Sequence, residues 1–417
     1  MYFAKVDYFV LIYKSVKLIE LIYKKPIAMQ KKHLILALII YVASAVASYT
    51  VFSAMNQDGG STSSDAAVNE ESETGTALSM LLEIDATEPK DQACPLNGQL
   101  LTATEKNAWE QRRPLFVMVE NSVDARPQSG LSRADIVFET IAEGGVTRFG
   151  VIFYCAAQKQ EVVIAPVRSA RSYFVDWASG FNYPMYVHVG GANVSGPTNA
   201  LGQIKDYGWE MQNDINQFSV GYPTFVRNYN RVEGKEVATE HTMESSTEKL
   251  WTIAAKRDWT NLDPEGDEWL AGFEPWSFEQ DPVSPGTVDH VHYDFWSGYN
   301  DYSVDWYYDA SQDVFLRSQG GEEHFDLNNN ERVAVANAII IKTTEKGPIN
   351  EKKHMIYGTI GTGDALIFKH GDVIEANWVK KTRVSELKFT DNKGLPIELA
   401  PGMTWISVVG IGTEVIY

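Results

Sequence analysis

The sequence contains very little cysteine and fewer basic than acidic residues. Among 417 residues there are two cysteines, which are too few for a disulfide-rich scaffold or a four-cysteine zinc site. Lys and Arg number 36 against 55 Asp and Glu, so the formal net charge is −19. Because nucleic-acid binding requires clustered Lys and Arg to neutralise phosphates, this balance argues against a nucleic-acid partner.

The common catalytic and nucleotide-binding motifs are also absent. The sequence has no G-x-S-x-G nucleophile elbow, and no G-x-G-x-x-G follows a strand and opens a helix. We interpret Gly361-Thr362-Gly363 as a hairpin turn. No repeat with a period of roughly 20–50 residues is visible. We therefore expect no cofactor and no solenoid architecture.

One long hydrophobic run lies near the N-terminus. Residues 34–55 carry no charge, whereas residues 1–33 contain seven lysines, one aspartate and one glutamate. A helix of that length spans about 33 Å, enough for a hydrocarbon core of ~30 Å. The positive-inside rule then keeps residues 1–33 in the cytoplasm and exports the rest. We expect a single-pass protein of the cell membrane, anchored in the lipid bilayer, with most of the chain extracytoplasmic.

Two alternatives remain open for this end of the chain. The run also fits a cleaved signal peptide, because Ala43-Ser44-Ala45 and Ala45-Val46-Ala47 match the small-residue cleavage rule. Translation also has a second candidate start at Met29, just before Gln30-Lys31-Lys32. After the run, residues 56–93 contain nine acidic residues and one lysine, which predicts an acidic flexible tether.

The remaining sequence predicts two domains that differ in their secondary structure. Residues 94–282 mix short β-branched strands with helices, which predicts an α/β domain built as an α+β layered sandwich. Residues 285–417 consist of strands separated by turns, which predicts a smaller β-rich domain. The strands expected first are 115–120, 135–139, 149–154, 161–164 and 185–189, the helices are 169–179 and 244–256, and a later strand is 372–380.

Three segments together resemble a known family. They are Ala125–Leu131 (ARPQSGL), Glu143–Phe149 (EGGVTRF) and Pro166–Arg171 (PVRSAR). With them the chain resembles the YerB-like family of bacterial envelope lipoproteins, from Cys94 to about Val409. The resemblance implies an α/β layered domain followed by a smaller β-rich domain, and it supplies no established catalytic residues. Family members often carry a lipid-attachment cysteine, but none lies between the hydrophobic run and Cys94, so we expect a transmembrane anchor instead.

The same region holds an unusual density of arginine. Arginine presents a planar fork of donors suited to carboxylate or phosphate, and Gly144-Gly145 and Gly190-Gly191 lie at expected strand ends, where backbone can approach a ligand. Two of the arginines begin an expected helix, with Ser169 as a candidate cap. These features predict a pocket for an anionic or polyhydroxylated ligand, unless the arginines pair internally with Glu120, Asp135, Glu139 and Glu143. The arginines are Arg126, Arg133, Arg148, Arg168 and Arg171.

Histidines offer weaker candidates. His188 and His241 could form an acid–base set with Glu143, although most such histidines are structural hydrogen-bonding groups. His290 and His292 would share one face of a strand, but two ligands alone do not define a metal site, and we expect none.

The two cysteines are best considered as a pair. Outside the cytoplasm Cys94 and Cys155 are candidates for a disulfide. Such a bond would close a loop of about 60 residues and contribute on the order of 4 kcal/mol. The alternative is one exposed and one buried thiol.

Three functional hypotheses follow from these features. The leading one is a membrane-anchored extracytoplasmic envelope protein whose arginine- and glycine-rich region binds an anionic glycan, a peptidoglycan fragment or a partner protein. The second is an envelope hydrolase or transferase in which Glu143 or Asp135 acts as acid or base, with Arg168 and Arg171 holding developing charge. The third is a purely structural scaffold.

Overall fold

The computed structural model describes residues 82–281 and 283–417, and the expected transmembrane segment 34–55 lies outside them. Within the described residues no helix is both long and apolar enough to span a membrane. The predicted tether ends before residue 93, because Lys90–Ala93 is a strand and the Glu88 carboxylate accepts a hydrogen bond from the Thr104 backbone N–H.

Strands dominate the described chain, and helices are few and short. The first strands are β1 Lys90–Ala93, β2 Leu100–Thr102, β3 Leu115–Glu120, β4 Ile136–Glu143, β5 Val146–Phe153, β6 Val163–Ile164, β7 Met185–His188, β8 Asp214–Asn216, β9 Val226–Arg227 and β10 Met243–Ser246. They are followed by β11 His290–Tyr293, β12 Val304–Asp309, β13 Val314–Gln319, β14 Glu322–Glu323, β15 Ala334–Val335, β16 Asn337–Thr343, β17 Glu345–Lys346, β18 Ile356–Tyr357, β19 Gly361–Lys369, β20 Asp372–Lys380, β21 Lys388–Thr390, β22 Thr404–Gly410 and β23 Val415–Ile416.

Two of the helices were expected with wider limits. The expected helix at 169–179 is shorter, and Ser169 does not cap it, because Arg171 is its N-cap residue. The expected helix at 244–256 begins only after Ser246, whose side chain accepts a hydrogen bond from the Lys249 N–H. The α-helices are α1 Ala103–Trp109, α2 Ser172–Ala178, α3 Ala200–Asp206, α4 Gln217–Val220 and α5 Thr247–Lys256, and the 3-10 helices are Val123–Ala125, Leu131–Arg133, Ser179–Phe181, Trp209–Met211, Thr239–His241, Trp269–Gly272 and Asn300–Tyr302.

Ten strands from both predicted domains form one mixed sheet. Its order is β21-β20-β19-β16-β22-β4-β5-β3-β7-β8. The two halves meet where β22 runs parallel to β4, with Thr404 opposite Ile136. The sheet therefore continues across the boundary that composition predicts near residues 281–286.

A smaller sheet and helix α2 cover opposite faces of the large sheet. The smaller sheet has the order β14-β13-β12-β11-β23, with β15 paired to β13. It packs on the large sheet through Trp306 and Trp405, whose ring centroids lie 5.7 Å apart. On the opposite face Trp177 of α2 stacks on Phe138 of β4 at 5.5 Å. Successive side chains of β4 and β22 point to opposite faces of the large sheet. Both faces are therefore covered, and the core is layered and rich in strands.

Glycines have different roles in two segments of the large sheet. Gly144 and Gly145 both have positive φ, at 56° and 90°, and form the two-residue loop between β4 and β5. Such a loop requires residues that adopt the left-handed region at both positions. By contrast, Gly361-Thr362-Gly363 is not the expected hairpin turn, because it starts strand β19 and pairs with Trp378–Lys380.

Candidate functional site

The arginine-rich region is built around a carboxylate at the end of β4. Glu143 accepts hydrogen bonds from Arg148 Nη2 at 2.9 Å, from Arg171 Nη2 at 2.7 Å and from Arg171 Nε at 3.0 Å. Both arginines are buried, and each also donates to a backbone carbonyl, that of Ser169 or Ala170. Arg148 and Arg171 are therefore held by the protein itself.

These two arginines also set the charge of Glu143. Burial raises the pKa of the Glu143 carboxyl, but the ion pairs with Arg148 and Arg171 outweigh burial and lower this pKa to about 2. Glu143 is consequently a carboxylate throughout the physiological pH range. A general acid or base needs a pKa near the working pH, so Glu143 is poorly suited to either task.

A second carboxylate cluster lies at the end of strand β3, which strand β5 separates from β4. Glu120 is buried, and its oxygens lie 3.1 Å from Arg168 Nε and 2.9 Å from His241 Nδ1. Arg148 of β5 is directly opposite Glu120 in the strand register, so the Glu120 and Glu143 clusters are neighbours. Together they form a network that ties β3, β4 and β5 to residues 165–171.

The remaining two arginines also have internal partners. Arg126 donates from Nε to the Asn121 side-chain oxygen at 3.3 Å, and its guanidinium lies 5.0 Å from the centre of the Tyr302 ring. Arg133 forms an ion pair with Glu331 at 2.8 Å. Internal pairing, the alternative interpretation of the arginine density, thus describes most contacts of all five arginines.

Asp135 does not join Glu143, the other residue that the enzyme hypothesis names as a candidate acid or base. Asp135 precedes β4 and Glu143 ends it, so at ~3.3 Å per residue they lie about 26 Å apart. Asp135 accepts hydrogen bonds from the backbone N–H groups of Tyr154 and Ala156 and from Asn97 Nδ2. Burial raises the pKa of Asp135 to about 7, although its backbone hydrogen bonds act in the opposite direction. Its position makes Asp135 a structural group, separated from the arginines.

Cys94 and Cys155 form a disulfide beside Asp135. Their Cα atoms are 6.0 Å apart and they are separated by 61 residues in sequence. Cys94 Sγ lies 3.9 Å from Asp135 Oδ1, so both sulfurs and the carboxylate occupy one small volume. Because the sulfurs are bonded to each other, neither is a thiolate able to bind a metal ion.

The two candidate histidines have separate structural partners. His188 is buried, with Nδ1 2.6 Å from the Gly190 carbonyl oxygen and Nε2 2.6 Å from Asp214 Oδ1. His241 contacts Glu120 instead. Neither ring contacts Glu143, so the acid–base set is not assembled in the described chain.

The glycine pairs allow the chain to pack closely against itself. A Cβ atom on Gly145 would lie 2.1 Å from the Tyr299 ring, and one on Gly144 would lie 2.8 Å from the Lys353 side chain. A Cβ atom on Gly190 would lie 2.9 Å from the Phe218 ring. Side chains of the same chain therefore occupy the space that a ligand was expected to fill.

The exposed part of this region involves an arginine that sequence analysis did not single out. Arg168 Nη1 donates to the Glu240 carbonyl at 3.1 Å, and Arg227 Nη1 donates to the neighbouring Thr239 carbonyl at 2.5 Å. A quarter of the Arg168 side chain is exposed, and Arg227 is exposed. In the described residues, Nη2 of both arginines has no hydrogen-bond partner. No local motif marks Arg227, because its relation to Arg168 arises from the pairing of β9 with β10.

A second polar network, also missed from sequence, is buried between the two sheets. Arg317 Nη1 lies 2.8 Å from His324 Nδ1, and His324 Nε2 lies 2.9 Å from Gln128 Oε1. Gln128 in turn donates to Asn121, the partner of Arg126. Burial, together with the adjacent Arg317, holds the pKa of His324 well below its usual value. The network joins the ARPQSGL segment to the small sheet.

These features define a class of two-domain, mostly sheet-rich proteins with few helices and a polar region built from internal ion pairs. Family models described as "Protein of unknown function (DUF3048)" match the chain twice, with the N-terminal domain over residues 101–260 and the C-terminal domain over residues 291–406. The chain belongs to this family.

A curated relative and a solved structure agree with this assignment. The chain is 31% identical over 321 residues to "Putative lipoprotein YerB" of Bacillus subtilis (strain 168), covering 77% of this chain and 87% of that protein. The crystal structure of YerB protein from Bacillus subtilis matches with a TM-score of 0.62 at 27% identity, covering 78% of this chain and all of that one. The YerB-like resemblance is confirmed, as is the sheet-rich two-domain character.

Proposed function

We propose that this protein is a membrane-anchored, extracytoplasmic protein of the bacterial cell envelope that binds an anionic envelope polymer through Arg168 and Arg227. The location rests on the uncharged segment 34–55, on the lysines before it and on the name lipoprotein carried by the relative from Bacillus subtilis. No cysteine separates this segment from Cys94, so the proposed anchor is a transmembrane helix rather than a lipid.

The ion pairing of Glu143 carries the preference for binding over catalysis. Its two arginine partners keep Glu143 ionised, and Asp135 lies at the other end of β4. A hydrolase acting on a glycosidic bond needs two carboxyl groups within roughly 5–9.5 Å of each other. The separation of about 26 Å along the strand is too large for that task.

The orientation of Arg168 and Arg227 supports an anionic ligand. In each guanidinium one terminal nitrogen is held by a carbonyl of the turn Thr239–His241, and the other has no hydrogen-bond partner among the described residues. Each arginine thus offers one charged N–H group, and such charge-assisted donors bind carboxylate and phosphate oxygens. The side chains are already ordered, so a ligand would pay less entropy on binding.

Glu240 is the internal competitor of this anion. Its side chain is fully exposed, and its pKa is lowered by a hydrogen bond from its own backbone and by the nearby His241, Arg168 and Arg227. Removing the charge of Glu240 should therefore strengthen binding of an anionic polymer, whereas removing the arginines should weaken it.

Binding of the full chain in detergent to purified peptidoglycan sacculi, with and without their anionic polymers, tests the proposal. We expect the Arg168→Ala/Arg227→Ala variant to bind at least about tenfold more weakly, and Glu240→Gln to bind more tightly, with both effects reduced by salt. Arg133→Ala, which removes an arginine paired with Glu331 elsewhere on the surface, is the matched control. Equal binding by all four proteins would overturn the proposal.

The same preparations discriminate the enzyme hypothesis. If wild-type protein releases soluble fragments from sacculi and Glu143→Gln does not, the protein is an envelope hydrolase or transferase and the binding proposal fails. Capture of an envelope protein that depends on Arg168 and Arg227, without affinity for sacculi, would replace the polymer with a protein partner.

A further inference from the structure

We propose that His290, His292 and Asp305 form a binding site for a divalent transition-metal ion of the Zn²⁺ type on the exposed face of the small sheet. These residues take no part in the arginine region, so the site stands or falls independently of the proposed function.

Strand β11 places two of the three side chains on one face. Exposure alternates along His290–Tyr293, with Val291 and Tyr293 buried against the large sheet. Because side chains alternate between the faces of a strand, His290 and His292 point to the opposite, exposed face, and Asp294 follows in the same direction. About a third of each histidine side chain is exposed.

The neighbouring strand supplies the ligand that the sequence pattern lacks. In the register of β11 with β12, His292 lies opposite Asp305 and His290 lies opposite Tyr307. Both imidazoles converge on one carboxylate oxygen, with His290 Nε2 2.8 Å and His292 Nδ1 2.9 Å from Asp305 Oδ1. The other ring nitrogen of His292, Nε2, lies 3.9 Å from Asp294 Oδ1, so Asp294 faces the opposite edge of this imidazole and is not part of the ligand set. Two histidines and a carboxylate are thus assembled from strands that lie 15 residues apart in sequence.

The charges at this position favour a cation. Among the described residues, the ion-pair partners of Asp305 and Asp294 are these two histidines, and neither carboxylate pairs with Lys or Arg. A divalent ion would neutralise the Asp305 carboxylate. Nitrogen from imidazole and oxygen from carboxylate are the donors that Zn²⁺ and similar ions take in proteins.

Holding an ion requires both imidazoles to turn. Ligand atoms on a tetrahedral Zn²⁺ with bonds of ~2.0–2.1 Å lie about 3.3 Å apart, so each imidazole–Asp305 contact must open by about half an ångström and the two imidazole nitrogens must move closer together. The side chains are partly exposed and can turn that far. The Tyr307 ring stacks on His290 at 4.7 Å and orients this imidazole towards the neighbouring strand.

Calorimetric titration of the full chain in detergent with ZnCl₂ tests this site. We expect wild-type protein to bind Zn²⁺, and His290→Ala, His292→Ala and Asp305→Asn each to weaken this binding at least about tenfold. Asp364→Asn, which alters an exposed aspartate of the large sheet, should bind as wild type does.

Two results would overturn the proposal. One is the absence of Zn²⁺ binding by wild-type protein at millimolar concentrations, and the other is unchanged affinity in the His290→Ala/His292→Ala double variant. Circular dichroism checks that each variant is folded, and His290→Gln and His292→Gln replace any alanine variant that is not. As a second measurement, Co²⁺ bound at this site should give a visible absorption spectrum that the double variant loses.

Discussion

Glu139 and Arg317 form an ion pair between the two sheets in which neither side chain is exposed, with 2.7 Å between Arg317 Nη2 and Glu139 Oε2. Glu139 belongs to β4 in the large sheet, and Arg317 belongs to β13 in the small one. Trp405 donates from Nε1 to the same carboxylate at 3.1 Å, and its ring lies 4.5 Å from the guanidinium. Segments from both predicted domains are thus joined by buried charge.

Loss of one member of this pair should be more damaging than loss of both. Arg317→Met leaves the Glu139 carboxylate buried without its counter-ion, and we expect the free energy of unfolding to fall by about 3–5 kcal/mol. The double variant Glu139→Gln/Arg317→Met removes both charges and should recover part of this loss. Urea denaturation measures both values, and a single variant as stable as the double one would contradict the role of the ion pair.

Glu143 should contribute stability that is lost in acid. Its folded pKa of about 2 lies below its ordinary value of 4.5, so its contribution is complete above pH 4.5 and disappears as the pH falls towards 2. The shift corresponds to about 2–3 kcal/mol after allowance for partial exposure. Glu143→Gln should lack this part of the acid transition in denaturation curves. Glu323→Gln, at an exposed pair with Arg332, should retain it.

Asp135 should have the opposite pH dependence. Burial raises its pKa from 3.8 to about 7, so the stability it contributes is complete below pH 3.8 and is lost as the pH rises through 7. The free energy of unfolding of wild type relative to Asp135→Asn should therefore decrease between pH 4 and 8. Asp364→Asn, which alters an exposed carboxylate, should show no such slope. A flat difference for Asp135→Asn would show that burial does not shift its titration.

The disulfide should stabilise the first half of the chain. With a sequence separation of 61 between Cys94 and Cys155, the chain-entropy model predicts that loss of the disulfide costs about 4 kcal/mol. We expect Cys94→Ala/Cys155→Ala to unfold at lower urea concentration than wild type. Dithiothreitol should destabilise wild type and leave the variant unchanged, and equal sensitivity of the two proteins would contradict this prediction.

Local sequence pattern predicted individual strands well and their neighbours poorly. The strands Leu115–Glu120 and Asp372–Lys380 have the predicted limits, because each is a continuous β-rich segment bounded by turn residues. The helix expected from residue 244 begins at Thr247, since Met243–Ser246 pairs with β6 and β9 instead. Pairing with distant strands overrode local helix preference there.

In the candidate site, too, the sequence predicted individual residues better than their neighbours in space. Sequence analysis selected Arg148, Arg168, Arg171 and Glu143, which the structure brings together. It also grouped Asp135 with them, although Asp135 and Glu143 lie at opposite ends of strand β4. Arg227 and Asp305 were not selected, because each gains its neighbours through a strand pairing that no local motif records.

Composition and local sequence pattern alone determined that the chain is acidic, poor in cysteine and rich in short strands. They also determined that it contains, near its N-terminus, an uncharged segment long enough to cross a bilayer. Only the tertiary structure decided that both halves share one sheet, that most arginines are paired internally, and that two histidines meet an aspartate on the small sheet. The physical reason is that hydrophobic periodicity acts over a few residues, whereas strand order and charge pairing depend on contacts between residues far apart in the chain.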